Sequence, residues 1–358
     1  MAFYYIFWFF VSFLALPLNF KNLKKPLVFF VFLTLIIFTG LRFEIGVDWF
    51  NYLRKYEEYK YVTNLKDFFY LSEPGYGVLN FLSQKIGLND LILVNFICSV
   101  LFYLCFFKFS SYFKNIFFPL FVCFVYTIVV VSNNYTRQIV SIGFSFLVIL
   151  SILHKNTKNF IFYIFMGMCF HSSIVLFLIF FPFVLNKINL TKKIFFYWYC
   201  LFCILFFTFS IYLSSIMDAT NYTDAGSEMT SGGVYMRLLM HVLPALLYLY
   251  NRKKFILEYS RFYMVLDLSI LIICYMFILA NFYSTLIDRF NLYFVFFDIF
   301  ILSYLYLKLK LNGKILLWLS VFLSNSLVYF VWLNYGKWTA ISWIPYNNYI
   351  FIWLKSVF

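Results

Sequence analysis

Charge is scarce in this sequence. Only 12% of its 358 residues are Asp, Glu, Lys or Arg, where a soluble domain carries about a quarter. Acids are rarer than bases, 14 against 28, and histidine occurs three times. An ordinary water-soluble domain is excluded by that shortage. Three scattered histidines without an H-E-x-x-H leave no metal-site signal, so no metal is expected. Glycine is also thin, with 12 in the chain. Neither a P-loop nor a G-x-G-x-x-G occurs, so no nucleotide cradle and no cofactor are expected. The seven cysteines all lie in apolar runs. Cys200 and Cys203 form a C-x-x-C inside FFYWYCLFCILFF, with no second pair. Packed or lipid-facing thiols fit them better than metal or redox work.

What the chain does have is apolar length. It is 64% hydrophobic and 26% aromatic. Runs of about 17–25 apolar residues match a bilayer crossed as helix. They lack the period-2 alternation of a membrane barrel. The expectation is an all-α polytopic membrane protein, one integral membrane domain over residues 1–358, with roughly ten to twelve membrane segments, some shorter than a full span. The net charge of +14 reflects lysines gathered in cytoplasmic loops under the positive-inside rule, not affinity for nucleic acid. Residues 3–20 lack a basic leader and a small-residue cleavage site, and are expected as a first membrane helix.

The longest polar interval is 42–77, RFEIGVDWFNYLRKYEEYKYVTNLKDFFYLSEPGYG. It holds six of the fourteen acids: Glu44, Asp48, Glu57, Glu58, Asp67 and Glu73. Lysines at 21, 24 and 25 mark the preceding loop as cytoplasmic, which places 42–77 outside. Its middle, Lys55–Lys66, is expected as a solvated stretch, with the chemistry at its two ends. Pro74 opens a short helix, 75–86. A second outer loop, 214–236, is rich in Gly, Ser and Thr and has no lysine, as a mobile flap would be. Residues 159–185 read as one span would put Lys187, Lys192 and Lys193 outside, against the charge rule. His171, near the middle, is costly at mid-membrane depth unless it faces protein or water. We therefore expect a broken or re-entrant helix that turns back near His171.

Orientation needs only positive charge, yet five of the seven arginines fall outside: Arg42, Arg54, Arg137, Arg237 and Arg289. Arginine is the better forked partner for phosphate and carboxylate oxygens. The split points to an anionic ligand at the outer face. Asp48 with Tyr52 four residues on would share a helix face, carboxylate for sugar hydroxyls and ring for the apolar side; Asp48 fits an N-cap equally well. Glu73, before Pro74, Gly75 and Tyr76, sits at a helix start, where capping is the plainer reading. Arg137 and Gln138 end one span, and Arg289 lies in a comparable place beside Asp288, with which it could simply pair. His171 with Ser172 is the plausible buried proton-transfer group, a structural hydrogen bond being the alternative. Asp267 and Asp298 lie inside expected spans and are functional candidates or helix-packing contacts.

Taken in order, R-F-E-I-G-V-D-W-F-N-Y (42–52), S-E-P-G-Y-G (72–77), T-R-Q (136–138), F-H-S-S (170–173), D-R-F-N-L-Y-F (288–294) and P-Y (345–346) resemble the EpsG-like group of Wzy-type polysaccharide polymerases along nearly the whole chain. The resemblance implies a GT-C-like membrane architecture. It also implies polymerisation of undecaprenyl-diphosphate-linked oligosaccharides, for O-antigen, capsule or exopolysaccharide, at the outer face of a bacterial inner membrane. The expected partners are a lipid-linked donor, a lipid-linked acceptor and membrane lipids. A chain-length regulator is compatible with the resemblance; nucleic acid is not expected.

On this reading Arg42, Arg137, Arg237 and Arg289 hold the diphosphate. Asp48, Glu73 or His171 takes the acceptor proton. Glu44, Tyr52, Tyr76, Gln138 and Tyr293 contact sugar. A flippase for lipid-linked oligosaccharides would instead line a route open to both faces, and a membrane acyltransferase would want a stronger His/acid pairing.

Overall fold

The computed structural model describes residues 1–17, 24–63, 65–87, 90–185, 196–201, 204–205, 208, 231–259 and 261–357. The described residues are almost wholly helical, as apolar segments in hydrocarbon must be to satisfy their own backbone. Six helices among them are long and apolar enough to cross a membrane: Ile92–Ser111, Phe117–Asn134, Thr136–Leu153, Phe262–Leu279, Ser284–Lys308 and Leu311–Tyr335. Ala2–Leu14, Lys25–Gly40 and Ser172–Val184 are shorter apolar helices. An all-α polytopic membrane protein is the result. The loop expected at 214–236 lies largely outside the described residues.

The chain divides into two compact units. The first comprises Met1–Leu147, Phe162–Val175 and Leu302–Phe358; the second comprises Val148–Ile161 and Leu176–Ile301.

In the first unit the two ends of the chain pack together. Trp8 stacks on Phe121 at 5.1 Å and on Phe322 at 5.9 Å, and its indole N–H donates to Ser326. The Lys24–Gly40 helix ends at residue 40, leaving its last carbonyls without helical partners. Residues 346–349 meet that need. Tyr346 donates to the Phe38 carbonyl at 2.6 Å, Asn348 to the Ile37 carbonyl at 3.0 Å, and the Tyr349 N–H to the Leu41 carbonyl at 2.9 Å. Arg42 and Asn348 form an isolated antiparallel bridge. The P-Y near the end of the chain thus serves as the cap of a helix more than 300 residues upstream.

Phe117–Asn134 is not uniform. Residues Phe124–Val131 are wound as π-helix, a form seen mostly as short insertions, often at functional sites. Widening the turn releases carbonyls just upstream. The Asn325 amide, from Leu311–Tyr335, donates to those of Phe121 and Val122 at 3.4 and 3.2 Å.

The helix expected to break near His171 does so. Thr157–Met168 has 12 residues, about 18 Å of helix, against about 30 Å of hydrocarbon. A 3₁₀ segment, Ser172–Phe180, follows. Ile174 packs directly against Gly167. In an unbroken helix those residues would lie about 10 Å apart along the axis, beyond the reach of an isoleucine, so the chain is sharply bent between them. The carbonyl of Cys169 accepts from the N–H groups of Gly75 (2.7 Å) and Tyr76 (3.2 Å). One helix's orphan acceptor is satisfied by another helix's orphan donors.

In the second unit, Val242–Glu258 packs on Phe262–Leu279 through Arg252, whose guanidinium forks onto both oxygens of Asp267 at 2.9 and 2.6 Å. Tyr248 donates to the same carboxylate at 2.8 Å. Asp267 is therefore a packing acid, the plainer of the two readings open to it.

Candidate functional site

The first unit brings most of the motif residues to one place. Glu73 is the N-cap residue of Pro74–Lys85, but its side chain makes no cap hydrogen bond. It turns instead to Arg137, whose Nη1 lies 2.6 Å from Oε2. The pair is 20% exposed on each side, so it is sheltered yet within reach of a ligand. The rings of Tyr52 and Tyr76 each lie 5.8 Å from the guanidinium carbon of Arg137 and 5.9 Å from each other. Both tyrosines are buried. Burial pushes the Tyr76 hydroxyl well above the usual phenol range, with Tyr52 adding to it. Tyr76 is thus a neutral wall and not a base. The Nε of Arg137 is buried without a hydrogen-bond partner among the described residues.

Arg42 stands behind these rings. It is 2% exposed and donates to the Thr39 carbonyl (2.6 Å), Thr136 Oγ1 (2.6 Å) and Asn95 Oδ1 (3.2 Å). These contacts join the end of one helix to Ile92–Ser111 and Thr136–Leu153. No carboxylate among the described residues pairs with it. Burial lowers its pKa, while Tyr52 and Tyr76 act in the opposite sense. It contributes a fixed positive charge and little freedom to move.

Asp48 is the N-cap residue of Trp49–Glu58, and its side chain also makes no cap hydrogen bond. The segment is held from its backbone. The Asp48 N–H donates to Asn134 Oδ1 at 3.1 Å, and the Gly46 N–H to the Ser342 carbonyl at 2.9 Å. Gly46 adopts φ 102°, and any Cβ there would strike the Asn133 carbonyl. Only glycine lets 42–48 lie this close to 133–134. Glu44 is exposed at a left-handed position, φ 53°.

His171 opens the returning half of the broken helix. Its Nδ1 accepts the Ser173 N–H at 3.3 Å and lies 2.5 Å from Ser173 Oγ. Its carbonyl accepts from Ser141. Those contacts engage one ring nitrogen in shaping the turn. Gln138 is buried one residue after Arg137.

Lys55 was the least expected member. It follows Tyr52 by three residues on Trp49–Glu58, so both share a helix face, and it is half-buried. Desolvation lowers its pKa, aided by the charge of Arg137 and opposed by Glu73 and Glu58. The sequence reading treated 55–66 as solvated surface. Yet Tyr56 and Tyr59 are buried as well, Tyr56 sharing a hydrogen bond with Ser83.

The remaining candidates belong to the second unit. Arg237 forks onto Asp288 through Nε (2.5 Å) and Nη2 (2.8 Å), and Ser231 donates to the same carboxylate. Asp288 thus takes Arg237, not its neighbour Arg289, as its forked partner. Arg289 is half-buried and Tyr293 buried, the latter 5.8 Å from Phe177. His241 is buried with both ring nitrogens engaged: Nδ1 lies 2.8 Å from each oxygen of Asp298, and Nε2 is 2.9 Å from Asn291 Oδ1. Sequence reasoning singled out Asp298 but had no means to pair it with a histidine 57 positions away. No group of three or more His, Cys, Asp or Glu side chains among the described residues could hold a metal ion.

A sheltered cation–carboxylate pair beside two tyrosine rings, among apolar helices, makes this a polytopic membrane protein with a polar pocket in its first unit. The chain belongs to the EpsG family, whose model matches residues 25–348; these are Wzy-type polysaccharide polymerase-like membrane proteins. No curated protein and no solved structure matches the chain.

Proposed function

We propose that this protein polymerises oligosaccharide repeat units carried on a lipid diphosphate, undecaprenyl diphosphate, at the outer face of a bacterial inner membrane. The observation that carries the reading is the Arg137 site. Its guanidinium is oriented by Glu73 and flanked by two tyrosine rings, with the uncompensated charge of Arg42 behind. Positive charge is in excess there, which suits a diphosphate leaving group and stabilises the charge that develops as it departs.

In the proposed step the acceptor hydroxyl oxygen attacks the anomeric carbon of the donor. The carbon–oxygen bond to the diphosphate breaks, and the lipid diphosphate leaves with that electron pair. The hydroxyl proton passes to a carboxylate. Asp48 suits the base better than Glu73, because Glu73 is committed to Arg137 while Asp48 is half-exposed at the start of its helix. The Tyr52 and Tyr76 faces suit a sugar ring.

Deletion in the native strain followed by polysaccharide gel analysis tests the reading. A lipid-borne single repeat unit in place of the ladder supports it. Loss of all surface sugar indicates a flippase, and a normal ladder with altered antigenicity indicates an acyltransferase. Either of those refutes it.

A further inference from the structure

Three cationic residues belong to the neighbourhood of Tyr52: Arg137 against its ring, Arg42 bonded to Thr136 beside Arg137, and Lys55 one turn on along the same helix; each is held differently. Arg42 is immobile, its terminal nitrogens bonded to Thr39, Asn95 and Thr136. Arg137 is clamped by Glu73. Lys55 is half-buried at the edge of the cluster and has no ion-pair partner among the described residues.

That arrangement is unfavourable in the absence of an anion. Lys55 lies one helical turn beyond Tyr52, whose ring is 5.8 Å from the Arg137 guanidinium carbon, so two positive groups share one neighbourhood, and Lys55 is half-buried there. Glu73, which could relieve Lys55, is already bonded to Arg137. Tension of this kind between like charges in a sheltered site marks a place built for a ligand of opposite sign. Lysine's ammonium is a compact point charge on a long flexible stem. It can follow an oxygen that the rigid Arg137 fork does not reach.

We propose that Lys55 is a ligand-binding residue that contacts the second phosphoryl group of the lipid diphosphate, so that the site selects a diphosphate over a monophosphate. This rests on the polymerase reading given above, and supplies it with a specificity determinant. Arg137 holds one phosphoryl group, Lys55 the other, and Arg42 adds charge from behind. The bridging anion removes the repulsion between Arg137 and Lys55, so binding a diphosphate gains more here than binding a single phosphate.

The test uses full-length protein in lipid nanodiscs with geranylgeranyl diphosphate and geranylgeranyl monophosphate as probes. Wild type is expected to bind the diphosphate about tenfold more tightly or better, the scale of one charge-assisted contact. Lys55→Met should remove most of that preference, weakening the diphosphate about tenfold while leaving the monophosphate within about twofold. Lys55→Arg should retain the preference, and Lys60→Met, an exposed lysine of the same segment, should leave both affinities unchanged. If Lys55→Met weakens both probes equally, or neither, the assignment of Lys55 is overturned while the polymerase reading stands. If wild type binds the two probes equally, or binds neither, the assignment of Lys55 is overturned; if the deletion strain also keeps a normal ladder, the polymerase reading falls with it.

Discussion

Replacing Arg137 by lysine isolates what the guanidinium does beyond carrying charge. The ammonium of lysine can still meet Glu73, so the ion pair that ties Thr136–Leu153 to the Pro74 corner survives in weaker form. Two features are lost. The planar group no longer lies against Tyr52 and Tyr76, where each ring is 5.8 Å from its centre; each such contact contributes about 0.5–1 kcal/mol. The Nε donor, buried without a protein partner, also disappears, and a hydrogen bond from a charged donor is worth about 1.5–3 kcal/mol. Allowing for what lysine recovers, the site should lose about 2–3 kcal/mol toward an anionic ligand, or roughly 30- to 150-fold. The assay is complementation of a deletion strain, with the membrane level of the variant checked by immunoblot and polymer length read on a gel. A shortened ladder or a single repeat unit at normal protein level is expected. A full-length ladder at normal level refutes the clamp.

Asp48→Asn should abolish polymer at a normal membrane level of the protein; a normal ladder removes it as the base. Gly75→Ala places a methyl 2.8 Å from the Cys169 carbonyl, disturbing the contact that closes the broken helix. It should lower thermal stability by about 1–3 kcal/mol, and an unchanged melt contradicts that role. Asp298→Asn leaves His241 buried without its carboxylate and should destabilise the protein by about 3 kcal/mol, whereas His241→Ala with Asp298→Leu should recover part of the loss. If the single variant melts like wild type, the pair contributes nothing to the fold.

Much of the helical framework was legible because bilayer length and hydropathy leave few alternatives. The long apolar helices Ile92–Ser111, Phe262–Leu279 and Leu311–Tyr335 have the length and composition that the apolar runs lead one to expect. The break near His171 was legible for an electrostatic reason: a single span would have carried lysines to the wrong side. The π-wound stretch before Ser132 was not legible, since nothing in FVYTIVVV separates a five-residue turn from an ordinary one.

For the site, sequence offered the residue types but not their pairings. Glu73 and Arg137 are 64 positions apart, and Glu73 looked like a helix cap. Arg42 looked like a ligand-facing arginine, while its buried contacts with Asn95 and Thr136 join three helices. Lys55 was the one omission with a readable signal, three residues after Tyr52 on an amphipathic helix. A lysine in a loop of mixed charge reads as surface because that is its usual place. The ring of contacts from Arg42 to Asn348 depends on residues more than 300 apart in sequence, and no local pattern encodes it.

The most direct measurement is reconstitution of the purified full-length protein with its native lipid-linked repeat unit as the only substrate. The account predicts a ladder of lipid-linked products longer than one unit, with lipid diphosphate released once for each linkage formed. Intact single units after incubation with folded protein, and no released lipid diphosphate, would contradict it.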